Sequence, residues 1–332
     1  MKTIRLGLNL LAGCGTLILA IAAPPSARAQ GTPPQCEKGE MCICTGSPAG
    51  NYQKAGEAIV KQLGSGLQGH TRFVNTNGSL DNLNYVAGGQ CSVGISQSDV
   101  YDLWRTEAPM ASNVLPVRDL YTEYVHILCP ASARIDNLNG LAAKQATLII
   151  GPPGSGTAET WRSLRQVDEK KYGNSTIDVS SDPADAGSVQ AVKASNGKSH
   201  PVCMLWISGL NSTAMQNAND RSLDPATGKP TLQLISVDDK RMAKLPGREG
   251  PRYTVKEISP AKGSAGKPGF YDHLINNGGV FSSAGVEVLA VPAEFVMNKD
   301  FKAGLSREHY NQLSVAIDDA SGGLRKEMSP GS

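Results

Sequence analysis

Two short Gly/Ser strings hold the residues whose types and spacing could do chemistry. The first is Thr45-Gly46-Ser47-Pro48-Ala49-Gly50-Asn51-Tyr52, and the second is Gly151-Pro152-Pro153-Gly154-Ser155-Gly156-Thr157. Each follows a short apolar run, 41–44 and 146–150, and precedes a helix-like stretch, 54–63 and 158–167. A turn of this kind aims unpaired backbone N–H groups and the positive end of a helix at one point, which is a generic anion site. Two such sites in one chain imply two lobes closing on one small anionic ligand. Ser47 and Asn51 would grip it from one side and Ser155 and Thr157 from the other, by neutral hydrogen bonds, since neither string contains Arg. A solvated second loop would let Ser155 serve the ligand alone, with no part in the stability of the empty protein.

Other chemistries find less support. The second string carries the glycines of a nucleotide-binding P-loop, but Thr157 stands where that motif needs Lys to reach the terminal phosphates. No G-x-S-x-G elbow and no H-E-x-x-H occur, and His70, His126, His200, His273 and His309 are scattered. No catalytic residue, metal ligand or cofactor site is therefore assigned. Asp99 and Glu123 are the carboxylates nearest the expected cleft; each could meet a ligand ammonium group, or simply be solvated or cap a helix.

The elements that must position these residues alternate. Strand patterns at 41–44, 70–75, 92–96 and 124–129 interleave with helix patterns at 54–63, 80–87 and 100–105. The order restarts with strands at 146–150, 176–179, 202–207 and 232–237 and helices at 158–167 and 184–194. A late apolar stretch, 286–291 and 295–297, leads to a final helix at 307–317, and 217–230 and 259–269 read as loops. Such βαβα order predicts an α/β fold of two lobes, each a mostly parallel sheet with flanking helices. Lobe one would take residues 30–125 plus 292–332 and lobe two 126–291, with hinge crossings near 124–130 and 286–292.

Composition agrees with a secreted binding protein. The 332 residues are 40% hydrophobic, enough for a real core, and 19% charged with a formal charge of +2. Without a Lys/Arg block, and with 5% aromatics, the chain offers nucleic acid no footprint. Lys2 and Arg5 precede an apolar run at 6–23 and the A-x-A site Ala27-Arg28-Ala29, so residues 1–29 read as a signal peptide and the mature chain as starting at Gln30. The rival is a lipoprotein box, Leu11-Ala12-Gly13-Cys14, but the apolar run continues past that cysteine. Export leaves six cysteines in an oxidising compartment. Cys91 opens a strand expected beside 41–44, so its partner is Cys36 or Cys42. Cys36–Cys91 is the first expected disulfide, since Cys36 lies outside the strand and can swing to reach, and Cys129–Cys203 on two lobe-two strands is the second. The alternative is that Cys44, Cys129 and Cys203 are small buried strand residues.

The first string resembles the T-G-S-x-G-G-x-Y opening of the TAXI family, solute-binding subunits of one class of TRAP transporters. The resemblance continues through Gly78-Ser79-Leu80-Asp81-Asn82-Leu83, Val93-Gly94-Ile95-Ser96-Gln97-Ser98-Asp99, Leu120-Tyr121-Thr122-Glu123-Tyr124-Val125-His126 and the second string. Ala49 stands where the family has glycine, and 208–285 match loosely. The resemblance implies a type II periplasmic-binding fold that closes like a clam. It also implies a ligand such as glutamate, a dicarboxylate or another organic acid, and delivery to the membrane permease subunits of a TRAP-type transporter. By position it assigns ligand contact to Gly46, Ser47, Asn51, Tyr52, Ser79, Gln97 and Ser98 from lobe one, and to Gly154, Ser155, Gly156 and Thr157 from lobe two. The resulting expectation is a monomeric, non-catalytic periplasmic receptor. The alternatives are a secreted serine-type hydrolase and a periplasmic ligand sensor partnering a membrane receptor.

Overall fold

A computed structural model describes residues 36–37, 39–48, 50–182, 184–260, 271–275 and 285–329. The expected signal peptide, with Cys14, lies outside these residues, as do Ala49 and most of the loop-rich stretch 259–269. The strands are β1 (Met41–Cys44), β2 (Thr71–Val74), β3 (Val93–Gln97), β4 (Val114–Pro130), β5 (Thr147–Ile150), β6 (Ile177–Val179), β7 (Val202–Ser208), β8 (Leu232–Leu234), β9 (Thr254–Ile258) and β10 (Val286–Asn298). The helices are α1 (Asn51–Gln62), α2 (Ser65–Gln68), α3 (Ser79–Ala87), α4 (Ser98–Glu107), α5 (Leu138–Ala143), α6 (Gly156–Val167), α7 (Glu169–Tyr172), α8 (Ala186–Ala194), α9 (Thr213–Asp220), α10 (Lys299–Gly304) and α11 (Arg307–Met328). None of the described helices is long and apolar enough to cross a membrane.

The strands join in the order β2-β1-β3-β10-β4-β7-β5-β6, with β8 on β4 and β9 on β10. The β1–β2, β1–β3, β5–β6 and β5–β7 pairs are parallel, so the expected α/β architecture is the observed one. Two long strands give it two lobes. The first half of β4 pairs with β10, while its second half, from Tyr124 onward, pairs with β7 and β8. β10 likewise pairs with β9 over 286–290 and with β3 over 293–297. Val291 faces Glu123 where these two sets of pairings meet.

Strand alternation builds the lobe-one core on both sheet faces. Met41 and Ile43 pack with Ile59, Phe295 and Leu313, while Cys42 and Cys44 pack with Leu83, Val86 and Trp104. Helix α11 buries Leu313, Ala316, Ile317, Ala320, Leu324 and Met328, a stripe at helical spacing. It runs past the expected end at residue 317 because the stripe continues through Ala320, Ser321, Leu324 and Met328, its first turn beyond 317 being carried by small residues that leave a faint sequence signal. Lobe two closes around Leu128, Leu148, Trp161, Val189, Met204 and Leu205.

The cysteines pair differently from expectation. Cys36 joins Cys42 and Cys44 joins Cys91, with Cα separations of 5.8 and 5.9 Å, in place of Cys36–Cys91. Cys44 takes Cys91, and a tight turn, in which the Glu40 N–H donates to the Glu37 carbonyl at 3.0 Å, folds Cys36 back onto Cys42. Cys129 and Cys203 are joined, with Cα atoms 4.3 Å apart. The grouping of Cys36, Glu40 and Cys42 is therefore no metal site, since both sulfurs are spent in a disulfide. Three elements also extend or replace expected ones. β4 begins at Val114, where it pairs with the end of β10, and its first half is hidden in the sequence because it mixes exposed and buried residues around Pro116; β10 runs unbroken through Pro292. Helix α9 occupies the start of the expected 217–230 loop, capped by Ser212, whose side chain accepts from the Met215 N–H.

Candidate ligand-binding site

The first loop leaves β1 at Thr45, whose hydroxyl donates to Gln53 Oε1 at 2.8 Å and ties the turn to α1. Gly46 has φ +87°, a left-handed conformation that suits glycine, and a side chain there would lie 3.6 Å from the Gly78 Cα. Its carbonyl accepts from Asn75 Nδ2 at 2.9 Å, so the string is pinned to the β2–α3 turn. The N-terminus of α1, at Gly50, has no side-chain cap. Its leading N–H groups are the unsatisfied donors that an anion site requires.

The second loop is built otherwise. Ser155 is the N-cap of α6, and its Oγ accepts from the Ala158 N–H at 3.3 Å. Thr157 Oγ1 accepts from the Gly151 N–H at 2.9 Å and lies 3.1 Å from Ser155 Oγ. Both side chains are buried. The Gly154 carbonyl accepts from the Leu80 and Asp81 N–H groups at 3.0 and 3.4 Å, so lobe two caps the first turn of α3 in lobe one. The expectation of a solvated Ser155 with no structural duty is overturned: its hydroxyl closes its own helix.

Between the two loops lies a cavity of about 110 Å³. Nine of the residues assigned from sequence line it: Gly46, Ser47, Asn51, Tyr52, Ser79, Gln97, Ser155, Gly156 and Thr157. Ser98 and Gly154 do not. Ser98 is buried at the start of α4, one residue past Gln97, and Gly154 is turned to the α3 N-terminus. A Cβ on Gly156 would collide with the Gln97 side chain, so this position admits only glycine while Gln97 stays in place.

Glu123 is the lining carboxyl, and none of the described lining residues is Lys, Arg or His. Tyr52 donates to its Oε2 at 3.1 Å and Tyr121 to its Oε1 at 3.2 Å. Burial nevertheless dominates, pushing the Glu123 carboxyl up to about 8. At neutral pH it is mostly protonated and does not repel an anion. Tyr52 Oη also lies 2.9 Å from Ser79 Oγ, which accepts from the Gln97 N–H at 3.2 Å. Two buried donors in this lining, Gln97 Nε2 and Trp206 Nε1, have no partner among the described residues. An orphaned buried donor costs free energy unless something accepts from it.

Sequence reasoning weighed Glu123 without assigning it to the site, and it missed Trp206 altogether. Trp206 sits in an otherwise apolar strand, where a tryptophan reads as core; its register opposite His126 is what brings it near the crossing. His126 itself is fully buried, with Nε2 hydrogen-bonded to Tyr271 Oη, and burial pushes its imidazole down to about 3. Asp99, the other carboxylate considered, lies outside the lining and faces lobe two through Thr160 and Tyr253.

Residues 43–248 match the sequence model of the NMT1-like family. Among solved structures, the chain is similar to a peroxide-bound mutant of OxyR from Corynebacterium glutamicum at 12% identity and a TM-score of 0.45, covering 87% of this chain and 66% of that one. It therefore spans just under two thirds of that protein. It is also similar to a TctC solute-binding protein from Polaromonas, at 15% identity and a TM-score of 0.42, covering 85% of this chain and 84% of that one. A third likeness is to an ancestral arginine-binding protein bound to glutamine, at 10% identity and a TM-score of 0.44, covering 88% of this chain and 98% of that one.

Proposed function

The chain belongs to the NMT1-like family, and on that premise we propose that it is an extracytoplasmic solute-binding protein that closes two lobes on a small carboxylate. In this reading the protein is exported to the periplasm through its N-terminal segment, acts as a monomer without catalysis, and delivers its ligand to a membrane permease. The resemblance to the TAXI family makes a TRAP-type permease the partner we favour.

The observation that carries the reading is the set of donors around the cavity. The uncapped end of α1 lies on one side and the end of α6 on the other, and Gln97 Nε2 and Trp206 Nε1 have no partner among the described residues. Such a lining suits oxygens of a ligand that must later be released, because neutral hydrogen bonds contribute only about 0.5–1.5 kcal/mol each net. Ser155 is spent on its helix cap and Thr157, which supports binding over hydrolysis by a loop serine.

Calorimetric titration of the purified mature protein with a panel of mono- and dicarboxylic acids and acidic amino acids tests the reading. Native mass spectrometry would look in parallel for a co-purified acid. We expect one acid to bind with micromolar or tighter affinity. Absence of binding across the panel, with no acid co-purifying, sinks the carboxylate-receptor reading.

A further inference from the structure

Lobe two reaches across to lobe one a second time, at α4 and β10 residues outside the cavity lining. Residues 245–252 form a tight strap, closed by the Gly247 N–H on the Gly250 carbonyl at 2.7 Å and the Arg252 N–H on the Leu245 carbonyl at 2.8 Å. At its tip, Arg248 engages lobe one in three ways. Its N–H donates to Asp102 Oδ2 at 2.9 Å, its guanidinium donates to both oxygens of Glu294, at 2.5 and 3.3 Å, and that group lies 5.1 Å over the Tyr101 ring. Gly247 passes so close to Asp102 that a Cβ there would stand 2.7 Å from its Oδ2.

One turn earlier on α4, Asp99 Oδ2 accepts from Thr160 of α6 at 3.0 Å and from Tyr253 at 2.5 Å. Tyr253 packs in the lobe-two core, and Val100, Tyr101 and Trp104 of α4 pack in the lobe-one core. Asp99 and Asp102 are buried, and only 1% of Glu294 is exposed. Three lobe-one carboxylates thus each meet a lobe-two donor, two of them one helical turn apart on α4.

We propose that Asp99, Asp102 and Glu294, with Arg248, Thr160 and Tyr253, form a latch that holds the lobes closed independently of ligand. The proposal rests on the reading of the protein as a receptor that opens and closes. Water competes for each of these groups once the lobes part, so the free energy of the latch biases the open–closed equilibrium. That bias sets the fraction of empty receptor competent to bind and the rate at which bound ligand escapes. The latch groups are positioning residues: Gln97 precedes α4 and Ser155 precedes α6, so Asp99–Thr160 fixes the spacing of these two lining residues without touching ligand.

Small-angle scattering on the ligand-free protein tests the latch without reference to any ligand. Arg248→Ala is expected to raise the radius of gyration and the largest dimension above wild type, with a cooperative melt retained. Acrylamide should then quench the tryptophan fluorescence more strongly, because Trp206 lines the cavity while Trp104 and Trp161 are buried in the two cores. Arg248→Lys keeps the charge on Glu294 but loses the fork geometry and should fall between the two. Removing Arg248 alone leaves Glu294 buried and unpaired, so the pair Arg248→Met with Glu294→Gln supplies the same test without a stranded charge. Scattering curves that superimpose for wild type and both the single and paired variants overturn the latch, whatever acids the protein proves to bind. A failed acid panel with opened variants would leave the latch standing and remove only the carboxylate reading.

Discussion

The two Gly/Ser loops look interchangeable on paper, yet they meet the cavity in opposite ways. The lobe-one loop places Ser47, an exposed residue, ahead of a helix with no side-chain cap, so its donors stay available. The lobe-two loop folds both hydroxyls inward: Ser155 caps α6 and Thr157 holds the Gly151 N–H. One loop is open to ligand, and the other is a closed mechanical unit whose backbone helps to wall the cavity. A shared string of small and hydroxyl residues predicts a turn before a helix. It does not predict where the hydroxyls spend their hydrogen bonds, because that depends on a one-residue choice of cap.

The largest expected effect concerns the acid that only the first loop reaches, through Tyr52. Glu123 has its folded pKa raised from 4.5 to about 8 by burial. Such an acid binds its proton more tightly when folded, so the associated stability is full below about pH 4.5 and is lost as pH rises toward 8. At roughly 1.4 kcal/mol per pH unit, the loss is on the order of 2–4 kcal/mol. Urea denaturation of wild type and Glu123→Gln at pH 5 and pH 8 measures it: the wild type should lose stability relative to the variant as pH rises. A pH-independent difference would mean that the carboxyl is not held protonated. Ionisation should also weaken binding of a simple carboxylate above pH 8, whereas a ligand bearing an ammonium group should gain.

Next in size is Gly151→Ala, which tests the self-closed character of the second loop. A Cβ there would lie 2.5 Å from Ser155 Oγ and 2.7 Å from Thr157 Oγ1. Overpacking of this kind typically costs about 1–3 kcal/mol. The variant's midpoint in a thermal melt should fall below that of the wild type, and an unshifted midpoint would show that the loop has room to relax. The same change in an open loop such as the first would cost little beyond the local backbone preference.

Much of this was legible from sequence because it rests on periodicity. The all-buried run Val93–Gln97 and the alternating core of β1 announce strands in a covered sheet, and the loops fall where strand meets helix. What was not legible is set by tertiary register. Trp206 enters the cavity lining because β7 pairs with β4 in one register, and a slip of one residue would turn it to the other face. Cys91 meets Cys44 and not Cys36 for a similar reason, a matter of how the chain approaches β3. The latch joins residues 99, 160, 248 and 294, and no local pattern links positions so far apart.

The smallest effect, and the sharpest for the comparison, comes from truncating one serine in each loop. Ser155→Ala removes an N-cap and should lower the stability of the ligand-free protein by about 1 kcal/mol, within the usual 0.5–2 range for such caps. Ser47→Ala removes an exposed hydroxyl that makes no hydrogen bond among the described residues, while the Ser47 carbonyl keeps its bond from the Gly50 N–H, and should leave stability within about ±0.5 kcal/mol. Its effect should appear in binding instead: a lost neutral hydrogen bond of about 0.5–1.5 kcal/mol weakens affinity roughly 2- to 12-fold. Melting curves of both empty variants, followed by calorimetry with the best acid, separate the two roles. If Ser155→Ala left the melt unchanged while Ser47→Ala lowered it, the loops would have to exchange their assignments. Equal stability losses would instead show that the first loop, too, is held by its own hydroxyl, and the asymmetry drawn from the capping geometry would fall.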